Sequence, residues 1–108
     1  MAEKNTAKLL YATAGSPEEA ERIATELVEQ KLVACANILG FSTSIYWWEE
    51  KVTKETETVF IVKTNAELVD QVIQKIIDLH SYGCPAVVAL DIEKGNPEFL
   101  KWINKNTL

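Results

Sequence analysis

The sequence predicts an α+β fold, with four strands and two main helices in the order β-α-β-β-α-β and a third helix at the C-terminus. Apolar runs of strand length alternate with amphipathic stripes at helical spacing, and capping residues stand at the start of the stripes. This order is typical of the ferredoxin-like sandwich, or split βαβ fold. Right-handed crossovers would place both main helices on one face of the sheet.

The first strand is predicted over Lys8 to Ala14, a short apolar run. Ser16 then stands as the N-cap of a helix, with Pro17 at its first position and Glu19 completing the pattern of a capping box. The apolar residues that follow are spaced by three and four, as in a helix that packs on a sheet: Ala20, Ile23, Ala24, Leu27 and Val28.

A hairpin of two long strands is predicted in the middle of the chain. A strand over Leu32 to Leu39 is disturbed at Gly40 and resumes over Ser42 to Trp48. Glu49 to Lys51 form the turn, and β-branched residues favour a return strand over Val52 to Thr64.

The second half of the chain repeats the helix–strand order and adds a last helix. Asn65 is predicted to cap a helix with the stripe Leu68, Val69, Val72, Ile73, Ile76 and Ile77. Pro85 to Ile92 is predicted as the fourth strand. Gly95, Asn96 and Pro97 open the last helix, which presents three large apolar residues on one face: Phe99, Trp102 and Ile103.

Two of the predicted strands are apolar on both faces. Thr58 to Val62 and Ala86 to Leu90 are nearly continuous apolar runs, whereas a sheet covered on one face should alternate apolar and polar residues. Two helices on one face leave the other face uncovered. We therefore expect a second copy of the chain to cover it.

The hairpin is predicted to project from the body or to bend sharply. As one strand, Val52 to Thr64 would extend about 43 Å, whereas a compact body of this length is only about 34 Å across. Adjacent strand residues face opposite ways, so one of Trp47 and Trp48 can join the core and the other cannot. Tyr46 and the tryptophan left over are predicted as interface anchors.

Composition limits the classes of function. The 108 residues are expected to form one domain, residues 1–108, because 47% of them are apolar and no linker or repeat interrupts the chain. A net charge of −5 without a basic run argues against nucleic-acid binding. No stretch is long and apolar enough for a signal peptide or a membrane span. Two widely spaced cysteines predict reduced thiols and a cytoplasmic protein.

Five segments together resemble the CutA divalent-cation-tolerance proteins, in order and spacing: KLVACANI from Lys31, SIYWW from Ser44, VFIVKT from Val59, the pattern H-x-Y-x-x-P from His80, and GNPEFLKWI from Gly95. The resemblance runs from the first strand to Ile103. It implies a ferredoxin-like protomer assembled as a homotrimer, linked to tolerance of copper and other divalent metals. In architecture such trimers resemble PII-type signalling proteins. No catalytic motif comes with the resemblance.

The sequence departs from the family pattern at several positions. Ser81 stands where the family has Pro, Gly83 where it has an acidic or polar residue, and Cys84 where it has Val or Thr. Glu50 replaces the Gly of the hairpin turn, a substitution that costs roughly 1 kcal/mol if the position needs a positive φ. Some members carry a cysteine ligand in the first strand, where this chain has Ala12.

His80 and Cys84 are the candidate metal ligands. Imidazole and thiolate both bind copper and zinc, but two ligands from one loop make only half a site unless neighbouring protomers add theirs. The alternative role of His80 is to end the second helix, where a protonated ring would meet the negative end of the dipole. The two roles are compatible. Cys35, in an apolar strand, is expected to be a small buried hydrophobe.

Enzymatic alternatives lack their required residues. A Cys–His hydrolase needs an orienting group, for which only Asn37 or Asp91 offers itself, without a local signature. An acylphosphatase needs an arginine in a phosphate loop, whereas the sole arginine, Arg22, lies inside the first helix. The acidic residues of the hairpin are predicted to form a solvated rim: Glu49, Glu50, Glu55 and Glu57.

We therefore expect a non-enzymatic homotrimer that binds copper weakly at clefts between subunits through His80 and Cys84, without an organic cofactor. The alternative is a PII-like trimeric sensor that binds a small metabolite in the same clefts. A cysteine-dependent hydrolase is a third possibility.

Overall fold

The structure, a computed structural model, describes residues 5–108. Its elements are β1 (Ala7–Ala14), α1 (Pro17–Glu29), β2 (Cys35–Trp48), β3 (Lys51–Asn65), a 3₁₀ turn (Ala66–Leu68), α2 (Val69–Leu79), β4 (Val87–Asp91) and α3 (Pro97–Lys105). The four strands form one antiparallel sheet in the order β2-β3-β1-β4. The predicted mixed α+β fold, with its helices and strands in the predicted order, is confirmed.

Two strands begin later than predicted, for local reasons. β2 begins at Cys35 instead of Leu32, because the chain first closes the end of α1. Lys31 takes a positive φ of 57°, and the backbone N–H groups of Leu32 and Val33 both donate to the carbonyl of Leu27. This left-handed turn is a common helix ending. β4 begins at Val87, two residues after Pro85, which has no N–H to donate to a ladder.

One face of the sheet carries the hydrophobic core. Residues two apart in β1 and β3 point to this face, where α1 and α2 cover them, as the predicted crossovers require. Phe60 is fully buried at its centre, so its replacement by Ala would cost about 3–5 kcal/mol. The core comprises Leu10, Ala12, Ala14, Ala20, Ile23, Leu27, Leu32, Val33, Phe60, Val62, Leu68, Val72 and Ile76.

We call the opposite face of the sheet the far face; α1 and α2 pack on the core side, and α3 contacts β1 and β3 at the end of the sheet where Asn65 donates to Thr107. Val88 and Leu90 of β4 are 55% and 50% exposed there, and Tyr11 of β1 lies between them and β3. An apolar far face was expected from the continuous apolar runs. Its covering by a second copy stays a prediction.

Of the two predicted outcomes for the β2–β3 hairpin, the structure shows projection from the body, and residues 5–108 measure 53 × 25 × 22 Å along their principal axes. The predicted disturbance of β2 is a register shift between Ile38 and Gly40, where Gly40 has a φ of 99°. Such a bulge increases the local twist of a hairpin. We call the part of the hairpin beyond this bulge the arm, residues 41–58.

The tip of the arm differs from the prediction in two ways. Both tryptophans are exposed, Trp47 by 74% and Trp48 by 58%, so the expectation that one joins the core is wrong. The tip of the arm extends past the helices, and neither of its faces meets the core there. The turn consists of Glu49 and Glu50 alone, since Lys51 already pairs with Trp48.

The caps follow the sequence signals. Asn65 accepts a hydrogen bond from the N–H of Glu67 and starts a 3₁₀ turn that continues into α2. Asn96 does the same for the N–H of Glu98 at the start of α3. On α3, Ile103 is buried, whereas the neighbouring rings of Phe99 and Trp102 stack at 5.8 Å and stay partly exposed.

Within residues 5–108, no helix has the length and apolar character needed to cross a membrane.

Candidate functional site

The loop of residues 80–85 joins α2 to β4 and lies beside the end of β1. It starts at His80, whose extended backbone ends α2 and whose N–H donates to the carbonyl of Ile77. The expectation that His80 ends this helix is confirmed for its backbone.

The imidazole of His80 makes hydrogen bonds through both ring nitrogens. The backbone N–H of Tyr82 donates to Nδ1 over 3.1 Å, so Nδ1 carries a lone pair. Nε2 lies 2.7 Å from the carbonyl oxygen of Thr13, which can only accept. These partners assign the neutral tautomer with the proton on Nε2.

The ring therefore does not act on the helix dipole. The expected role of a protonated imidazole facing the last carbonyls of α2 is wrong, because the ring turns to β1. Arg22 of α1 takes that role, since its Nη2 donates to the carbonyl of Leu79 over 3.0 Å. A cation at this end of a helix is favourable. The sole arginine thus ties α1 to the end of α2.

Glu19 fastens the same loop from the other side. The Ser16 hydroxyl accepts a hydrogen bond from the N–H of Glu19, as predicted. The Glu19 carboxylate does not complete the capping box by accepting from the N–H of Ser16; its Oε1 accepts from the N–H of Gly15. Its second oxygen accepts from the N–H of Ser81 over 2.9 Å. Burial alone would raise the pKa of Glu19, but the hydrogen bonds from Ser81 and Gly15 outweigh it and lower the pKa.

Tyr82 reaches from the loop to β3. Its hydroxyl donates to Oε2 of Glu57 over 3.1 Å, and its ring packs against that of His80 at 4.6 Å. Gly15 makes room for this approach, because a Cβ there would lie 3.3 Å from the Tyr82 hydroxyl. The side chain of Tyr82 thus spans the gap between the loop and Glu57.

The surroundings of Tyr82 are acidic. Burial, the hydrogen bond and charge of Glu57, and the charges of Glu55 and Glu19 raise the pKa of Tyr82 to about 12. The phenol consequently stays protonated and keeps donating to Glu57 at neutral pH.

Glu57 is a functional candidate that the sequence analysis missed. It was expected on a solvated rim, yet the residue is only 9% exposed. The missed signal is the period of two in β3, which places Glu57 on the same face as Val59 and Ile61. Its burial also depends on Tyr82, which is distant in sequence.

The predicted metal ligands have different surroundings. Cys84 is exposed with a free thiol, whereas His80 is partly buried and has both nitrogens in use. Ala12, where the resemblance implied a cysteine ligand in some family members, is buried in the core. Among residues 5–108, no three His, Cys, Asp or Glu side chains lie together in a group able to hold a metal ion. His80 and Cys84 as a metal pair stay a prediction.

Cys35 stands at the start of β2, opposite Lys63 of β3. It is half-buried, so it is more accessible than the buried hydrophobe that was expected. Neither it nor Cys84 forms a disulfide.

A family model described as "CutA1 divalent ion tolerance protein" matches residues 8–106. The chain belongs to the CutA1 family. Among its relatives, the divalent-cation tolerance protein CutA of Archaeoglobus fulgidus is 47% identical over 96 residues, which are 89% of this chain and 93% of that protein. The chain spans 56% of a rice relative, the chloroplastic protein CutA 1, to which it is 36% identical over 99 residues.

Solved CutA structures share the fold. The crystal structure of CutA1 from Ehrlichia chaffeensis matches with a TM-score of 0.91 and 39% identity, over 98% of this chain and 99% of that chain. The Archaeoglobus fulgidus structure, described as a periplasmic divalent cation tolerance protein, matches with a TM-score of 0.89 and 45% identity, over 93% and 97%. The family names state a link to divalent-cation tolerance and contain no enzymatic activity.

Proposed function

We propose that the chain is a non-enzymatic protein of divalent-metal tolerance, copper in particular, built from ferredoxin-like protomers that assemble as a homotrimer. In this proposal, metal binds weakly at clefts between subunits, with His80 and Cys84 as the ligands from each chain. The cytoplasm is the proposed location, supported by two free thiols. The observation that carries the assembly is the exposed apolar part of the far face, at Val88 and Leu90, together with the projecting arm.

The sheet has two kinds of exposed surface to which a second copy of the chain could bind: the far face and the edge strands. The far face exposes Val88 and Leu90, and β2 and β4 are both edge strands with unpaired outer backbone groups. Contacts between two different surfaces are head-to-tail, and such contacts close into a ring when the rotation allows it. A closed ring would cover both features at once, which supports a cyclic assembly.

The arm provides the anchors. Beyond the bulge, Phe41, Ile45, Trp47 and Val52 are exposed apolar residues, and the pairing of β2 with β3 places them on one face. Exposed apolar patches of this kind on a projecting hairpin are typical of subunit interfaces. The face they share extends beyond the helices of its own chain.

The hydrogen bonds of His80 support weak metal binding. A metal at Nδ1 must displace the N–H of Tyr82, and a metal at Nε2 must displace a proton as well as the carbonyl of Thr13. Cys84 is free to bind but contributes only one ligand. We therefore expect a chelator to leave the fold and the melting temperature nearly unchanged, unlike the removal of a structural metal.

Native mass spectrometry tests the assembly. The wild-type protein should appear as a trimer of 12.1 kDa chains. Trp47→Ser should weaken the trimer, whereas Phe99→Ser is the matched control, because Phe99 stacks on Trp102 of its own helix. A wild-type protein that stays monomeric at micromolar concentration contradicts the proposal.

Calorimetric titration with copper tests the metal site. His80→Ala and Cys84→Ser should each lower the affinity, and Cys35→Ser should not, since Cys35 lies at the other end of the sheet from the loop. The circular dichroism of each variant shows whether the fold is kept. Equal copper affinity in wild type and in the folded His80→Ala variant would remove His80 from the site.

A further inference from the structure

Glu57 is a buried carboxylate without a cation. Its only polar partner in the part of the chain that the structure describes is the Tyr82 hydroxyl, and the ion pairs found there lie elsewhere, between Lys8 and Asp91, Arg22 and Glu19, and Lys101 and Glu98. Glu55 and Glu19 add further negative charge around Tyr82. Carboxylates are rarely buried in folded proteins unless a positive group pairs with them. The site thus lacks a positive partner.

Lys63 is a cation on the same face that has no carboxylate partner in the described residues. It lies six residues after Glu57 in β3, a regular strand, so both side chains point to the far face. Its ammonium group donates to Oδ1 of Asn37, and no carboxylate within residues 5–108 forms an ion pair with it. Six residues span about 20 Å along a strand, too far for Lys63 to pair with Glu57 of its own chain.

Covering the far face would remove water from both groups. An unpaired charge buried in this way costs several kcal/mol, whereas a paired one is compensated. We propose that in the assembly Lys63 of one subunit pairs with Glu57 of the partner subunit. This inference rests on the homotrimer proposed above and deepens it, because it names the charged contact that the interface needs.

The distribution of charge on the far face favours Lys63 as the partner. Strand positions on this face carry four charged residues, namely Lys51, Glu55, Glu57 and Lys63. Lys51 lies at the exposed tip of the arm, so it needs no partner. Lys63 is half-buried beside the apolar residues that a second copy would cover. Each subunit would give its lysine to one neighbour and its carboxylate to the other, the pattern of a head-to-tail ring.

A double-mutant cycle on trimer dissociation tests the pair. Glu57→Gln and Lys63→Met should each raise the dissociation constant of the trimer about tenfold or more, as truncation of one partner of a buried ion pair does. The dissociation constant of the double variant should rise by less than the product of the two single fold-changes, because the double variant leaves no unpaired charge. Lys63→Arg should retain the trimer. The readout is native mass spectrometry over a dilution series.

Controls separate this inference from the proposed function. Lys105→Met removes an exposed lysine that belongs to α3 and not to a strand, and it should leave dissociation unchanged. Circular dichroism checks that each variant folds. A trimeric wild type whose Lys63→Met variant dissociates like the wild type, or whose two effects simply multiply, overturns the ion pair but keeps the trimer. A monomeric wild type overturns both.

Discussion

Replacing Glu50 with Gly at the tip of the arm is expected to stabilise the protein. Glu49 and Glu50 are the two central residues of the hairpin turn, and their φ angles are 47° and 65°. A two-residue turn with positive φ at both positions is the type that matches the twist of a hairpin, and Asn-Gly is its preferred sequence. Two consecutive glutamates are therefore an unfavourable choice at this turn.

The size of the effect follows from two opposing terms. A residue with a Cβ pays about 1–2 kcal/mol in the left-handed region, and Gly does not. Gly, however, loses more freedom on folding, which costs about 0.5–1 kcal/mol. Glu50→Gly should thus raise the free energy of unfolding by about 0.5–1 kcal/mol, which shifts the melting temperature of a domain of this size by a few degrees. Adding Glu49→Asn, to give Asn-Gly, should increase the gain.

Urea unfolding followed by tryptophan fluorescence measures this change, with oligomeric state and protein concentration held constant. Glu55→Gly is the matched control, since it makes the same chemical change within β3, where φ is not positive, and should destabilise. The reasoning fails if Glu50→Gly destabilises as much as Glu55→Gly does.

Three further predictions concern Glu19, the cysteines and Gly40. Glu19→Gln should lower the free energy of unfolding by about 2 kcal/mol at pH 7. Because folding lowers the pKa of Glu19, its stabilisation is present above the unfolded pKa and lost as the pH falls through the folded one, so urea unfolding at pH 3 should show a smaller difference. Cys84 should react with a thiol reagent faster than Cys35, and mass spectrometry of singly labelled protein would contradict this if Cys35 reacted first. Gly40→Ala should cost about 1–2 kcal/mol in urea unfolding because φ there is 99°, and Gly83→Ala, which has open space and no positive φ, should cost little.

The fold could be predicted because its signals are local. Each apolar helical stripe is preceded by a residue whose side chain forms an N-terminal cap, namely Ser16, Asn65 and Asn96. The three helix starts could therefore be predicted from a few neighbouring residues. The disturbance of β2 was readable from Gly40 for the same reason. Because only a short turn joins β2 and β3, the two strands were expected to pair with each other in antiparallel orientation.

The site was less predictable because its contacts are not local. Glu57 and Tyr82 are 25 residues apart, and nothing in the acidic pattern of the arm distinguishes Glu57 from Glu55. The capping box failed for a similar reason, since the loop offers Ser81 to Glu19. The exposure of both tryptophans depends on how far the arm extends past the helices, a property of the whole fold.

The hydrogen bonds of His80 connect its structural role with its proposed metal-binding role. The N–H of Tyr82 donates to the lone pair on Nδ1 that a metal ion would need. The side chain of the same residue, Tyr82, donates its hydroxyl to Glu57. A metal at Nδ1 therefore binds against the free energy of that hydrogen bond, about 0.5–1.5 kcal/mol. This reduces the affinity by up to about tenfold relative to an unencumbered imidazole. The bond that positions Tyr82 against the buried carboxylate thus weakens His80 as a ligand, which makes modest, reversible metal binding the expected behaviour of this loop.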